Sequence, residues 1–148
     1  MRTTTEFNKE KNKKRLFKSR REILDWINEL EFIRDERIFL EHLLGSHFLD
    51  LSTPKLYEPT KKLIEELKKI ENRGNELLVT IKIHKKHIAA LIESVQFTEK
   101  LEFINEHNKI KKEFENYVIN FKNIKKNIFD MIKEIMKKDK QKFLIRNQ

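Results

Sequence analysis

Cysteine is absent from the 148 residues, and glycine and proline occur only twice each. Without cysteine there is no disulfide scaffold, no thiolate metal site and no cysteine nucleophile. Four turn-forming residues are too few for the many tight connections of a β-sandwich, a barrel or a wound α/β fold. No apolar run approaches the ~20 residues that a membrane span requires; the best is Ile88-Ala89-Ala90-Leu91-Ile92. Residues 1–21 are polar and basic and lack the apolar stretch of a secretory signal, so a cytoplasmic location is expected. There is no glycine-rich phosphate loop and no Ser/His/Asp arrangement identifiable from spacing. The expectation is a non-enzymatic protein without a cofactor.

What remains is charge and period. Lysine and arginine number 33 against 24 acidic residues, a net charge of +9, and charged residues make up 39% of the chain. Residues 1–18 hold few large apolar side chains, among them Phe7, Leu16 and Phe17. So little burial does not offset ordering entropy, and the segment reads as a flexible basic arm preceding one bundle domain over 19–148.

Ser19-Arg20-Arg21-Glu22 has the Ser-x-x-Glu form of a capping box and marks a helix start. Ile23, Trp26, Leu30, Ile33, Leu40 and Leu44 follow at steps of three and four, with Arg37 in the skipped position. Thr53-Pro54 opens a second helix, Thr as cap and Pro at the first helical position. Its stripe runs Leu56, Thr60, Leu63, Leu67, Ile70, Gly74, Leu77, Ile81, His84, Ile88, Leu91, Val95 without losing phase, which predicts a helix continuous through Gly74. Thr98 is a third cap, and the stripe Phe103, His107, Ile110, Phe114, Tyr117, Phe121, Ile124, Ile128, Met131, Ile135 predicts a third long helix.

Three long helices with short connections make an elongated antiparallel three-helix bundle, and the sustained 3.5-residue period gives it coiled-coil-like packing. A break at Gly74 is the alternative, and it yields a compact four-helix bundle. Charge is sorted along the chain. Residues 22–51 carry eight acidic and two basic side chains, whereas 52–96 carry nine basic and six acidic, and 97–148 thirteen basic and eight acidic. The first helix therefore complements the other two.

A helix over 54–96 spans ~64 Å and one over 19–50 only ~48 Å. Folded antiparallel, the second and third helices outreach the first, and residues 88–106 project beyond it. That tip is apolar: Ile88, Leu91, Ile92, Val95, Phe97, Leu101, Phe103 and Ile104 are the candidate interface. Exposed apolar patches of this kind mark association surfaces. Either residues 7–17 fold back as a cap or the tip pairs with a second molecule. The second gives the expected function, a protein–protein interaction or assembly module paired as a homodimer.

Two alternatives rest on other residues. His84, His87, Glu106 and His107 fall at one level of the second and third helices, with Asp25 and Glu29 placed toward them from the first. Imidazole and carboxylate are the usual ligands of a metal-binding bundle, while polar seam residues that fix register are the structural alternative. Lys11, Lys13, Lys14, Arg15, Lys18, Arg20 and Arg21 form the second set. With the lysine pairs of the later helices they suit salt-sensitive, weakly selective nucleic-acid binding.

Overall fold

The computed structural model describes residues 3–94 and 101–146. Within them the protein is an all-α bundle: α1 (Thr4–Ser46), the single-turn α2 (Phe48–Leu51), α3 (Tyr57–Glu93) and α4 (Leu101–Arg146). None of these helices is long and apolar enough to cross a membrane.

The first helix starts fifteen residues before the expected position. The segment read as a flexible arm is the opening of α1, and Ser19 lies in mid-helix. The reason is a capping box at Thr3-x-x-Glu6. Thr3 Oγ1 accepts the Glu6 amide at 3.2 Å, and the Thr3 amide donates to Glu6 Oε2 at 3.2 Å. This reciprocal pair satisfies two orphan donors of the first turn. Residues 4–18 contain no glycine or proline to stop the helix. Leu16, seven residues before Ile23, is fully buried and anchors the opening turns to the core.

The other boundaries stay closer to expectation. The Thr53 carbonyl accepts the amides of Leu56 and Tyr57 at 3.1 and 3.0 Å, closing a turn through Pro54 that delivers the chain into α3. From there α3 runs unbroken through Gly74, so the four-helix alternative is set aside. Thr98, the expected third cap, lies outside the described residues.

The core divides into two compact units, to both of which all three long helices contribute. One comprises residues 1–32 and 74–116, the other 33–73 and 117–148. In the first, Leu16, Ile23, Trp26 and Leu30 of α1 are buried, with Leu77, Ile81, His84 and Ile88 of α3 and Phe103, His107 and Ile110 of α4. In the second, Ile33, Leu40 and Leu44 are buried, as are Leu51 of α2, Leu63, Leu67 and Ile70 of α3, and Tyr117, Phe121, Ile124 and Ile128 of α4. Each set keeps the three-and-four spacing that places side chains on one helical face.

Polar contacts fix the register inside each unit. In the second, Tyr117 Oη donates to the Ile70 carbonyl at 3.3 Å and Thr60 Oγ1 lies 3.4 Å from Met131 Sδ, an order that makes α3 and α4 antiparallel. Lys125 Nζ meets Glu36 Oε2 at 2.7 Å, an acidic α1 residue against a basic α4 residue as the charge sorting requires. Arg37 is buried at its core position. It pairs with Glu41 at 2.7 Å and with Glu71 of α3 at 3.6 Å.

Candidate functional site

The first unit holds a buried polar cluster at the level foreseen from the sequence. His84 and His87 lie one turn apart on α3, and Glu106 and His107 are adjacent on α4. His84 Nε2 and His107 Nδ1 are 2.8 Å apart. His84 Nδ1 lies 3.5 Å, and His87 Nδ1 3.3 Å, from the same oxygen, Glu106 Oε2. One ligand atom from each of His84, His87 and Glu106 falls within 4.8 Å of the other two. The structure thus brings all four sequence candidates together.

The contribution of α1 is Glu22, not the expected Asp25 or Glu29. Glu22 Oε2 stands 3.7 Å from His107 Nε2 and 3.6 Å from Lys111 Nζ. The missed residue is one turn away on the same flank. The Ser19 cap had claimed it as a capping partner, and a helix continuous through Ser19 releases it. Trp26 completes the wall, its ring 4.8 Å from that of His107, while Phe103 stacks on His84 at 4.6 Å and 10°.

Burial dominates the electrostatics. It pushes both His84 and His107 below the ordinary histidine range, against the opposing pull of Glu106 on His84 and of Glu22 on His107. Two buried ring nitrogens, His84 Nδ1 and His107 Nε2, make no hydrogen bond. Exposure rises outward: the His84 side chain is fully enclosed, whereas that of Glu106 is 35% exposed and that of His87 54%.

Part of the apolar tip is taken up by the core. Ile88 and Phe103 are buried, Leu91, Ile92 and Ile104 are half-buried, and Leu101 alone of the described set is exposed, at 70%. Val95 and Phe97 lie outside the described residues. The physical reason is the early start of α1. Its Arg15, Lys18, Ser19 and Glu22 line a cleft together with Phe103, Ile104 and His107, so the first helix does not stop short of this region.

The basic candidates Lys11, Lys13, Lys14, Arg15, Lys18, Arg20 and Arg21 are all exposed on α1. Lys11, Lys14, Lys18 and Arg21 recur at steps of three and four, one row of the helix surface.

A feature that the sequence reading did not single out lies in the second unit. A groove of about 770 Å³ runs between the end of α1 with α2 and the start of α3, lined among others by Leu44, Phe48, Leu51, Tyr57, Ile64 and Leu67. Phe48, Tyr57 and Ile64 remain more than half exposed there. Phe48 and Ile64 are large apolar residues off the heptad stripe, but their meeting depends on the path of the connection between α1 and α3. No known protein family, curated protein or solved structure matches the chain.

Proposed function

We propose that this protein is a non-catalytic assembly module that pairs with a second copy of itself through the groove of its second unit. The observation that carries the reading is the groove: a wall of exposed Phe48, Tyr57 and Ile64 around about 770 Å³ of open space. Apolar side chains left exposed around one groove suit association with a partner surface.

The end of α4 has the chemistry of an occupant. Met136, Leu144 and Ile145 are exposed by 58%, 54% and 71%. They lie among Lys137, Lys138, Lys140, Lys142 and Arg146, with Asp139 as the lone acidic residue. The groove carries Glu41, Glu65 and Glu71 against Lys61 and Lys68. The apolar side chains of that helix end therefore match the apolar wall of the groove, whose Glu41 and Glu71 are already paired with Arg37. Exchange of the same two surfaces between two copies gives a closed, self-complementary pair.

Sedimentation of the full chain at tens of micromolar tests this. The wild type is expected as a dimer, Ile64→Asp and Leu144→Asp each as monomers, and Leu101→Asp as a dimer. A monomeric wild type overturns the reading. So does dissociation by Leu101→Asp alone, which returns the interface to the apolar tip.

The exposed row Lys11, Lys14, Lys18 and Arg21 supports nucleic-acid binding as the second reading. Contacts of that kind weaken steeply with salt. Retention of a labelled duplex at low salt, lost on raising it and reduced by Lys14→Glu with Lys18→Glu, is its test; no retention at low salt removes it.

A further inference from the structure

We infer that His84, His87 and Glu106 form a binding site for a first-row transition-metal dication, with zinc as the fitting ion. The inference goes beyond self-assembly and uses residues that the assembly reading does not.

Donor geometry is the first ground. Two imidazoles and a carboxylate suit zinc and its neighbours, whereas magnesium and calcium favour all-oxygen sets. Tetrahedral bonds of 2.0–2.1 Å place neighbouring donors about 3.3 Å apart. The two histidine-to-glutamate separations, 3.3 and 3.5 Å, already have that value. The remaining pair of donors needs closure from within 4.8 Å, and His87, on the solvent side, has the freedom to turn inward.

An unpartnered buried nitrogen is the second ground. His84 is fully enclosed, and its Nδ1, on the side of Glu106, has no hydrogen bond. Buried polar atoms in folded proteins are normally satisfied, and Glu106 Oε2 stands 3.5 Å from this one without making a hydrogen bond, so the atom calls for an explanation. A cation coordinated there supplies it.

The third ground is the support behind the ligand. A metal-bound histidine normally donates its second N–H to a fixed acceptor, which sets tautomer and ring orientation. With the ion on His84 Nδ1 the proton resides on Nε2, which donates to His107 Nδ1 at 2.8 Å. His107 then carries its own proton on Nε2, facing Glu22 Oε2 at 3.7 Å, and Lys111 stands 3.6 Å from that same oxygen. Every nitrogen in the row acquires a single consistent role. His107 is thus a positioning residue and not a ligand. Three protein donors leave a fourth position for water on the exposed side of His87 and Glu106.

Full-length protein freed of metal by chelator, titrated with cobalt(II), is the test. The expected result is an intense visible absorption saturating at one ion per chain, displaced by zinc and unaffected by excess magnesium. His87→Ala and Glu106→Gln, both outside the enclosed core, are each expected to weaken zinc binding roughly tenfold or more while keeping the wild-type helical circular dichroism. His42→Ala, on the exposed face of α1 in the other unit, is expected to bind as the wild type does. The inference is overturned if no cobalt absorption appears, if magnesium competes equally with zinc, or if His42→Ala lowers the affinity as much as the site variants do.

Discussion

His84 and His107 meet nitrogen to nitrogen at 2.8 Å, inside a wall built partly by Phe103 and Trp26. A buried polar pair of this kind is costly to break and cheaper to replace, because removing one partner strands the other without water. In metal-free protein His84→Leu and His107→Leu are each expected to cost about 1–3 kcal/mol. The double variant is expected to cost less than the two together, with a coupling of roughly 0.5–3 kcal/mol. Urea denaturation of the four proteins in chelator at one pH measures the cycle. Strict additivity would mean that the rings ignore each other.

Leu16 tests the opening of α1. It is fully buried, whereas a leucine in an irregular arm contributes nothing to the core. Leu16→Ala is expected to destabilise by about 2–5 kcal/mol, the range for a buried leucine truncation. Phe7→Ala, nine residues earlier and largely exposed, is expected to change stability by less than about 0.5 kcal/mol. Thermal melts of both variants decide it, and a silent Leu16→Ala would detach residues 4–18 from the bundle.

The contrast between Leu16 and Ile23 also explains what the sequence made legible. Ile23 belongs to a run of core residues at steps of three and four, and such runs mark most of the core in all three long helices, including through Gly74, although near the end of α4 the buried residue is Ile132 and Met131 is half-buried. Leu16 is one whole heptad upstream, and the positions one step of three or four between it and Ile23 are Ser19 and Arg20, which carry no apolar rhythm. Burial there depends on partners from α3 and α4, which a linear reading does not see. The Thr3-x-x-Glu6 cap was visible in the chain but stood before a polar stretch. The histidine cluster was legible because two heptad stripes put His84 and His107 on facing seams. Glu22 was not, since its role depends on the placement of α1 to within one turn. Lys125 opposite Glu36 followed from charge sorting, while the groove around Phe48 and Ile64 arises from the path of the α1–α3 connection, which no period encodes.

Arg37 occupies a core position with a charge. It is 8% exposed and held by Glu41 at 2.7 Å and Glu71 at 3.6 Å. The two carboxylates are partly solvated, so each pair alone is worth little, but removing both leaves a guanidinium enclosed without compensation. Arg37→Met, which keeps the volume of the stem, is expected to lie within about 1 kcal/mol of the wild type. Glu41→Gln with Glu71→Gln is expected to be the more damaging change, by about 1–2 kcal/mol. Equilibrium unfolding of the two proteins ranks them, and a larger loss in Arg37→Met would make the ion pairs net contributors to stability.

Tyr117 links burial to alkaline stability. Burial raises its phenol above the ordinary value of 10.0, and the nearby Arg37 only partly opposes the shift. Its hydroxyl donates to the Ile70 carbonyl at 3.3 Å, a bond that exists only while the proton is present. In the unfolded chain the phenol loses its proton near the ordinary value, whereas the folded chain retains it to higher pH. Above about pH 10 the native state therefore binds more protons than the unfolded state, and stability falls as pH rises. Below that range the contribution is complete and independent of pH. Tyr117→Phe removes both the hydrogen bond and the titration, at a cost of roughly 0.5–1.5 kcal/mol at neutral pH. The stability gap between wild type and Tyr117→Phe is thus expected to be constant from neutral pH upward and to narrow once pH passes about 10. Urea titrations of both proteins across that range measure the gap directly. A gap that stays flat or widens would place the hydroxyl in water and not against the α3 backbone.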